Sequence, residues 1–457
     1  MRLDFSTPDT SAYVVQLYTS SLGDNSHVVV VDGEAAVIDP QRDIRRFEDA
    51  LANSGARLVA VFETHVHNDY VSGGPALAAQ YNAAYVLPRD SGASVPHTAI
   101  GDSEAWPLGG WHLRAMHTPG HTPHHFSYVL EAPHGRVAVF SGGSMLVGAV
   151  GRTDLISPER TEELTHLQYR SVNRIADEMP DPATVGPTHG AGSFCSSGGS
   201  SETTSTIERE KRQNPALTAD ESSFVERQIE GYGLYPAYYP QIGPINRSGA
   251  EAVRELAPAR ELSPDELDLV RERAWLVDLR APGDFAKAHI PGSINVPIAP
   301  DAAVYIGWTL PWDSDLVLIG GSPGDVEDTR LGLERIGFGR LAGVVTDGLT
   351  AWLRAGRPVD AYRVAAFADL LGEQPTSVVD VRDPVETRDG KASGAMNIHF
   401  SQLLDRTGET TTDRATWVYC ASGFRAAIGA SILHRAGRDV VLVVDDFANL
   451  ERKSVAP

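Results

Sequence analysis

A metal-binding pattern stands at the centre of the first half of the chain. Imidazole and carboxylate side chains occupy alternate positions at His65, His67 and Asp69, directly after the apolar run 58–62. A short apolar run of this kind is typical of a buried strand, and a loop leaving its end can turn alternate side chains into one cleft. Neutral imidazole suits zinc or iron, and a carboxylate suits the harder of the two. The segment therefore predicts a metal centre.

Two further histidines lie in loops that could reach the same cleft. Pro119 and Gly120 force a turn, which would present His121 at the tip of its loop. His189 is likewise followed by a glycine. A single histidine beside glycine or proline is more often a turn residue, but the three segments together indicate one site.

A cysteine near the end of the chain has the surroundings of a reactive thiolate. Cys420 follows the apolar run 417–419 and precedes the helical stretch 426–434. Successive backbone N–H groups and a helix N-terminus favour negative charge on such a sulfur, and Arg425 adds a cation. The sulfur could attack a sulfane donor and hold the transferred sulfur as a persulfide.

The other cysteine, Cys195, allows two interpretations. It could be a small buried apolar residue, a common role for a free cysteine. It could also be a thiol beside the metal cleft that carries or receives sulfane sulfur, because it follows His189 closely.

Length, charge and cysteine content narrow the classes of protein. A chain of 457 residues suggests two to four domains. A net charge of −21 disfavours nucleic acid and anionic membrane as partners. The sequence contains no long apolar run and begins without the apolar core of a signal peptide. Two distant cysteines fit a reducing compartment, so we expect a cytoplasmic protein.

Local patterns predict a layered α/β domain over about 12–245. Asp32 and Gly33 separate two apolar runs and predict a hairpin. Residues 44–52 have helical periodicity. The segment 232–244 is rich in tyrosine, proline and glycine, and we expect it to end the domain as an ordered arm.

Two later segments repeat one another. Asp278-Leu279-Arg280 and Asp380-Val381-Arg382 each end an apolar run, and each is followed by another apolar run, a loop and a helical stretch. Strands alternating with helices predict two small α/β domains with parallel sheets. The predicted domains are 1–248, 249–360 and 361–457.

The first domain resembles the metallo-β-lactamase fold, an αββα sandwich of the α+β class. Within it, segments 64–74, 117–122 and 150–155 are similar to the persulfide dioxygenase branch. Enzymes of that branch are mononuclear iron proteins that oxidise a thiol-bound sulfane sulfur to sulfite.

The resemblance implies a role for each of the five metal-binding candidates. It places His65 and His121 on the metal, and His67 in or beside the coordination shell. Asp69 and His189 match ligands of the second metal in binuclear hydrolases of this fold.

Two residues depart from the family pattern. Tyr70 follows Asp69 where a second histidine is usual, which argues against a second metal. Gly143 stands where the metal-binding aspartate of the family would fall, so the two-His, one-carboxylate set of non-haem iron oxygenases is incomplete. We would expect Gly143→Asp to raise iron occupancy.

Three outcomes remain open for the metal. His65, His67 and His121 could hold Fe(II), the metal that the resemblance implies, or Zn(II) as the alternative. Asp69 or His124 could serve as substitute ligands. The cleft could also hold no metal, because Gly143 replaces the expected aspartate.

The remaining domains resemble rhodanese sulfurtransferases. In the third domain Cys420 would form the persulfide, with the loop amides and Arg425 as its cradle. The corresponding loop of the second domain, 320–325, contains no cysteine, so that domain would serve a structural or docking role.

The leading hypothesis is a sulfur-metabolism enzyme in which a persulfide-dioxygenase-like metal site is coupled to a sulfurtransferase site at Cys420. Its small-molecule partner would be a low-molecular-weight thiol persulfide or thiosulfate, and a homo-oligomer is compatible with the sequence. One alternative is a zinc-dependent thioester or ester hydrolase with accessory rhodanese domains. The other is a non-catalytic sulfur carrier with a degenerate metal site.

Overall fold

The computed structural model describes residues 1–196, 198 and 200–450. The chain divides into two compact units, Met1–Glu255 with Glu334–Gly337, and Leu256–Leu333 with Phe338–Pro457. The predicted third domain extends to residue 457, and its last residues, 451–457, lie outside the described part. Among the described residues, none of the helices has the length and apolar character needed to cross a bilayer.

The first unit begins with a seven-stranded sheet whose strands lie in sequential order. Its strands are β1 (Arg2–Asp4), β2 (Ala12–Thr19), β3 (Asp24–Val31), β4 (Glu34–Ile38), β5 (Arg57–Phe62), β6 (Ala84–Pro88) and β7 (Thr98–Ile100). The first four strands pair antiparallel and the rest parallel. Helices α1 (Arg45–Ser54) and α2 (Gly74–Tyr81) form the crossovers from β4 to β5 and from β5 to β6.

The predicted hairpin and first helix are confirmed. Asp32 and Gly33 have positive φ values of 45° and 80°. A two-residue hairpin turn whose twist matches that of the flanking strands requires positive φ at both residues. Helix α1 covers the periodic stretch and buries Phe47 and Leu51.

The second sheet of this unit has six strands in the order β13-β12-β11-β10-β9-β8. These are β8 (Ala105–Leu108), β9 (Trp111–His117), β10 (Phe126–Ala132), β11 (Gly135–Gly142), β12 (Thr184–Pro187) and β13 (Ser205–Thr206). The accompanying helices are α3 (Thr161–Glu178), α4 (Ile207–Gln213), α5 (Pro215–Thr218), α6 (Glu221–Glu230) and α7 (Tyr239–Ser248).

The two sheets pack face to face over an apolar core. Phe62 of the first sheet and Tyr128 of the second belong to one buried cluster, with ring centroids 4.9 Å apart. Helices α1 and α2 cover the outer face of the first sheet. Helices α3, α4 and α6 cover the outer face of the second. The result is an αββα sandwich, and the loops that carry the predicted metal ligands leave β5, β9 and β12.

The segment expected to end the domain as an ordered arm is partly helical, with α7 beginning at Tyr239. Pro240 lies in the first turn of α7, where a missing N–H costs no hydrogen bond, although Pro244 lies inside the helix. The buried Asn246 of this helix donates to the carbonyls of His67 and Tyr70, both at 2.9 Å. Tertiary contacts of this kind outweigh the low helix propensity of proline and glycine.

The second unit contains two sheets in which every pairing is parallel, as predicted. The first sheet has the order β15-β14-β16-β17. Its strands are β14 (Trp275–Asp278), β15 (Ile294–Asn295), β16 (Leu316–Ile319) and β17 (Leu341–Val345). Its helices are α8 (Pro264–Val270), α9 (Pro282–Lys287), α10 (Ala302–Thr309), α11 (Pro323–Arg335) and α12 (Thr350–Arg354). The second sheet has the order β18-β22-β21-β19-β20. Its strands are β18 (Arg363–Ala365), β19 (Val378–Asp380), β20 (Met396–Asn397), β21 (Thr416–Tyr419) and β22 (Val440–Val443). Its helices are α13 (Phe367–Glu373), α14 (Leu403–Arg406) and α15 (Phe424–Arg435).

The sequence repeat has the same structural role in both sheets. Arg280 pairs through two nitrogens with the buried Asp278, and Arg382 pairs in the same way with the buried Asp380. Because a buried carboxylate is costly unless paired, each arginine secures the end of its central strand.

Candidate metal centre and sulfur-transfer site

Three buried imidazoles converge in the first unit. His65 follows β5, His121 follows β9 and His189 follows β12, and one ligand atom from each lies within 4.8 Å of the others. The ring centroids of His65 and His121 are 4.8 Å apart, and those of His121 and His189 are 5.1 Å apart. The structure therefore brings together one histidine from each predicted segment.

Each of these three imidazoles is oriented through its Nδ1 atom. The partners of His65, His121 and His189 are, in that order, the Thr64 hydroxyl at 2.9 Å, the Arg152 carbonyl at 2.7 Å and an Asp24 carboxylate oxygen at 2.9 Å. Nε2 of His65 and Nε2 of His189 have no hydrogen-bond partner among the described residues. Metal-binding histidines are held in this way, with Nε2 left for the ion.

The protonation of the cluster also fits metal binding. Burial and the neighbouring imidazoles lower the pKa of His65 and His121 well below its usual range. Both rings are therefore neutral, which is the form that coordinates a cation. Buried polar atoms without partners are rare in proteins, and a bound cation would satisfy them here.

His67 is engaged differently. Its Nε2 lies 2.9 Å from the Tyr70 hydroxyl, 3.1 Å from an Asp39 oxygen and 3.3 Å from a Glu63 oxygen. Burial opposes protonation, but the two carboxylates raise the pKa of His67 well above its usual value. The His67 ring lies next to that of His65, with centroids 4.0 Å apart, but its Nε2 is engaged by these three partners, whereas Nε2 of His189 has no hydrogen-bond partner among the described residues.

Asp69 lies on the Nδ1 side of the His189 ring. One Asp69 oxygen is 3.4 Å from Nδ1 of His189, and the other is 3.9 Å from Nδ1 of His67. Burial, followed by the neighbouring Asp24 carboxylate, raises the pKa of Asp69 to about 7. His67, Asp69 and His189 form a second grouping of ligand atoms within 4.8 Å.

Gly143 is pressed against the metal-binding cluster. A Cβ atom at this position would lie 2.3 Å from Cδ2 and 2.8 Å from Nε2 of His121. The imidazole occupies the space into which a side chain at 143 would extend. An aspartate here would have to displace His121, which argues against the simple repair expected from the sequence.

We expect Gly143→Ala to lower metal affinity about tenfold, because relieving the overlap must move His121 at a cost of about 1–3 kcal/mol. Equilibrium dialysis against zinc, with metal content measured per chain, checks this. Gly283→Ala is the matched control, since a Cβ there meets no atom within 4 Å. Equal zinc affinity in the Gly143→Ala and wild-type proteins would contradict the proposed role of His121.

Cys195 is buried away from solvent in the first unit. Its Sγ lies 3.7 Å from the Tyr239 hydroxyl. Burial, with the charges of Asp69 and Asp24, raises the pKa of Cys195 well above its usual value. A neutral thiol is a weak nucleophile, so these surroundings favour the packing interpretation over a sulfur-carrying role.

The Cys420 loop lies between a buried strand and a helix, as the sequence predicts. Cys420 follows β21 and is 2% exposed. The Gly423 N–H donates to its Sγ at 3.1 Å, and α15 begins at Phe424. Gly423 has φ of +107°, and a Cβ there would lie 3.1 Å from the Val444 backbone. The tight loop needs glycine at this position.

Arg425 is held beside this sulfur by an acidic partner. Its guanidinium donates to both oxygens of Glu386, at 2.5 and 2.9 Å. Burial works against the charge, but Glu386 raises the pKa of Arg425 above its usual value. Arg425 is predictable from its position in the loop, whereas Glu386 lies in a separate segment and has no local sequence signal.

Two aromatic residues of helix α10 contact residues around this site. The Tyr305 ring in α10 lies 4.8 Å from Phe424, and the Trp308 ring lies 5.1 Å from His399. Burial, the Asp301 charge and the Cys420 charge raise the pKa of Tyr305 to about 12. The sequence signal for these two residues is their i, i+3 spacing in an apolar stretch. Such a pair more often belongs to the hydrophobic core than to a functional site.

Known proteins are similar to both the first and the second half of the chain. A family model described as "Rhodanese-like domain" matches residues 263–355 and 364–452. The mitochondrial persulfide dioxygenase ETHE1 of Homo sapiens is 29% identical over 212 residues, which cover 46% of this chain and 74% of that protein. A hydroxyacylglutathione hydrolase of Gloeobacter violaceus is 34% identical over 140 residues, covering 29% of this chain and 54% of the relative.

A solved structure resembles a larger part of the molecule. The crystal structure of a metallo-beta-lactamase from Staphylococcus aureus subsp. aureus COL aligns with a TM-score of 0.66 and 28% identity, covering 73% of this chain and 98% of that chain. The predicted fold, a metallo-β-lactamase αββα sandwich followed by rhodanese-like domains, is confirmed.

Proposed function

We propose that this chain, in which a metallo-β-lactamase fold is followed by two rhodanese-like domains, is a sulfur-metabolism enzyme with two centres. Cys420 transfers sulfane sulfur, and the histidine cluster oxidises a thiol-bound sulfane sulfur to sulfite. The observation that carries the proposal is the hydrogen bond from the Gly423 N–H to Cys420 Sγ at the start of α15. Backbone donors and a helix N-terminus stabilise a thiolate over a thiol.

The transfer step uses groups that the chain supplies. The Cys420 thiolate attacks the sulfane sulfur of thiosulfate, a new S–S bond forms, and the sulfane–sulfonate bond breaks so that sulfite leaves with the electron pair. An acceptor thiolate then attacks the outer sulfur, takes it as a persulfide and regenerates the Cys420 thiolate. Arg425 stabilises the negative charge of the donor and of the persulfide, and Glu386 holds the guanidinium in place.

The oxidation would take place at the buried histidine cluster. His65, His121 and His189 would hold the metal, because their Nδ1 atoms are all engaged and their ligand atoms lie within 4.8 Å. An iron ion bound there would supply the means to use dioxygen. The reaction consumes one persulfide, one dioxygen and one water, and releases the free thiol, sulfite and two protons. The relative named a persulfide dioxygenase supports this assignment.

Joining the two activities in one chain has a physical advantage. Tethering raises the effective concentration of a short-lived persulfide at the partner centre.

Oxygen consumption tests the proposal. The iron-loaded full-length chain is mixed with the persulfide of a small thiol such as glutathione, and oxygen uptake and sulfite are recorded together. We expect equal amounts of dioxygen consumed and sulfite formed. A protein that carries iron, yet consumes no oxygen with any small-thiol persulfide, would overturn the oxidation half of the proposal.

A zinc-dependent thioester hydrolase is the second candidate for the first unit. Three imidazoles without a carboxylate match the ligand set of zinc enzymes that activate water near neutral pH. One relative is named a hydroxyacylglutathione hydrolase. Zinc-loaded protein that cleaves S-acyl thiols, with no oxygen uptake in the iron form, would favour this function. A chain that binds neither metal would instead support the carrier role.

The aromatic cover of Cys420 leads to a further prediction. Tyr305→Ala should shorten the lifetime of the Cys420 persulfide about 3- to 10-fold, because losing the ring contact with Phe424 opens the sulfur to water and thiols. Mass spectrometry of the persulfide over time measures the decay. Tyr305→Phe keeps the ring and should decay as the wild type does. Equal decay in all three proteins would show that Tyr305 does not shield the site.

A further inference from the structure

A second cluster of metal-binding side chains lies within the second unit. His289 follows α9, Asp360 precedes β18, and His434 lies in the last turn of α15. One ligand atom from each lies within 4.8 Å of the others. These residues come from both rhodanese-like regions and from the segment that joins them.

The backbone sets the spacing of two of these residues. His289 and Asp360 form an isolated antiparallel bridge, in which each N–H donates to the carbonyl of the other at 2.9 Å. Residues paired in this way carry their side chains on the same side of the ladder. The imidazole and the carboxylate are therefore held as neighbours before any ligand binds.

The His289 side chain is prepared for a ligand on one nitrogen. It is 1% exposed, and its Nδ1 lies 2.9 Å from the Phe285 carbonyl, so the proton resides on Nδ1. The ring stacks on Phe285 with centroids 4.0 Å apart and an interplanar angle of 6°, which fixes its orientation. Nε2 is buried and has no hydrogen-bond partner among the described residues. A carbonyl on Nδ1 and a vacant Nε2 are the arrangement found in metal-binding histidines.

The other two groups approach each other without forming a hydrogen bond. Nε2 of His434 lies 4.0 Å from an Asp360 oxygen, and the rings of His289 and His434 are 5.2 Å apart. Ligands of a tetrahedral zinc ion at about 2.0–2.2 Å lie roughly 3.4 Å from one another. Asp360 and His434 retain partial exposure, so small rotations of their side chains suffice to close the set.

The charge of the surroundings permits a cation. Arg280 is the nearby guanidinium that influences His289, and its charge is neutralised by the bidentate pair with Asp278. The Asp360 carboxylate would offset part of the charge of a divalent ion.

We infer that His289, Asp360 and His434 form a binding site for a divalent transition-metal ion, with zinc as the best match, that cross-links the two rhodanese-like domains. Two imidazoles and one carboxylate leave a fourth position for water, as in zinc sites with three protein ligands. The ion would connect the region that carries Tyr305 to the end of the helix that begins at the Cys420 loop. The site is separate from the histidine cluster of the first unit and does not depend on the function proposed for it.

Zinc stoichiometry tests the inference. The full-length chain is stripped with a chelator and dialysed against buffered zinc, and bound zinc is measured per chain. We expect His434→Gln and Asp360→Asn each to bind about one zinc ion fewer than the wild type. His112→Gln is the matched control, because it removes an exposed histidine outside the cluster and should bind as the wild type does.

Thermal unfolding gives a second readout. Zinc should raise the unfolding temperature of the second unit in the wild type and not in Asp360→Asn, because a ligand that binds only the folded state stabilises it. Asp360→Asn keeps the shape of an exposed side chain, so it serves if His434→Gln fails to fold. Equal zinc content and equal thermal shifts in the wild type and Asp360→Asn would overturn the site, as would a matching loss in His112→Gln.

Discussion

Cys420→Ser should reduce thiosulfate-to-acceptor sulfur transfer by at least about a thousandfold, which is the scale of losing a catalytic nucleophile. A serine hydroxyl keeps the size of the side chain and could still accept the Gly423 N–H, but it is not ionised near neutral pH and cannot form a persulfide. Metal content and persulfide-dependent oxygen uptake should stay at the wild-type level, because the histidine cluster lies in the first unit. Sulfur transfer from thiosulfate to cyanide or a thiol measures the expected loss. Metal analysis and oxygen uptake with a persulfide check that the histidine cluster is unaffected.

The other cysteine provides the control for this experiment. Cys195→Ala should retain sulfur transfer, since Cys195 is buried in the first unit with a raised pKa. Transfer that survives in Cys420→Ser would refute the sulfurtransferase assignment. Transfer that disappears in Cys195→Ala would restore the sulfur-carrying interpretation of that residue.

His189→Gln should weaken metal binding by more than about a hundredfold, as should His65→Gln, because each removes an imidazole from the converging cluster. Oxygen uptake should fall in proportion. His67→Gln should keep most of its metal affinity, because Nε2 of His67 is already engaged by Tyr70 and two carboxylates. Metal content after dialysis against iron or zinc distinguishes the variants.

The cost of His67→Gln should appear in stability instead. The substitution leaves the buried Asp39 and Glu63 carboxylates without their cationic partner, which typically costs about 3–5 kcal/mol. The unfolding temperature of the metal-free protein measures this loss. The set of His65, His67 and His121 would hold the metal instead if His67→Gln lost its metal while His189→Gln kept it.

Features that depend on neighbouring residues could be predicted from the sequence. The hairpin at Asp32 and Gly33 follows from two residues that tolerate positive φ between apolar runs. The Cys420 loop follows from a strand, a glycine and a helix in close succession. The three histidine segments were recognisable because each follows a strand, and loops at strand ends are where a sandwich of this kind exposes functional side chains.

Contacts between distant segments required the tertiary structure. The stacking of two sheets decides that His189 joins His65 and His121, while Tyr70, Asp39 and Glu63 hold His67. Composition predicted an ordered arm at the end of the first domain but not the helix α7 within it, because proline and glycine content does not register the buried contacts that stabilise a helix.

The sequence by itself indicates metal binding and sulfur transfer as the types of chemistry. The tertiary structure decides which side chains lie close enough to act together. Motif spacing reaches only a few residues along the chain, so it identified His65, His121, His189 and Cys420. Glu386 against Arg425, Tyr305 over the Cys420 loop, and His289 beside Asp360 and His434 arise from sheet pairing and helix packing. Such contacts depend on burial and on close approach in space, and no local pattern of residue types records them.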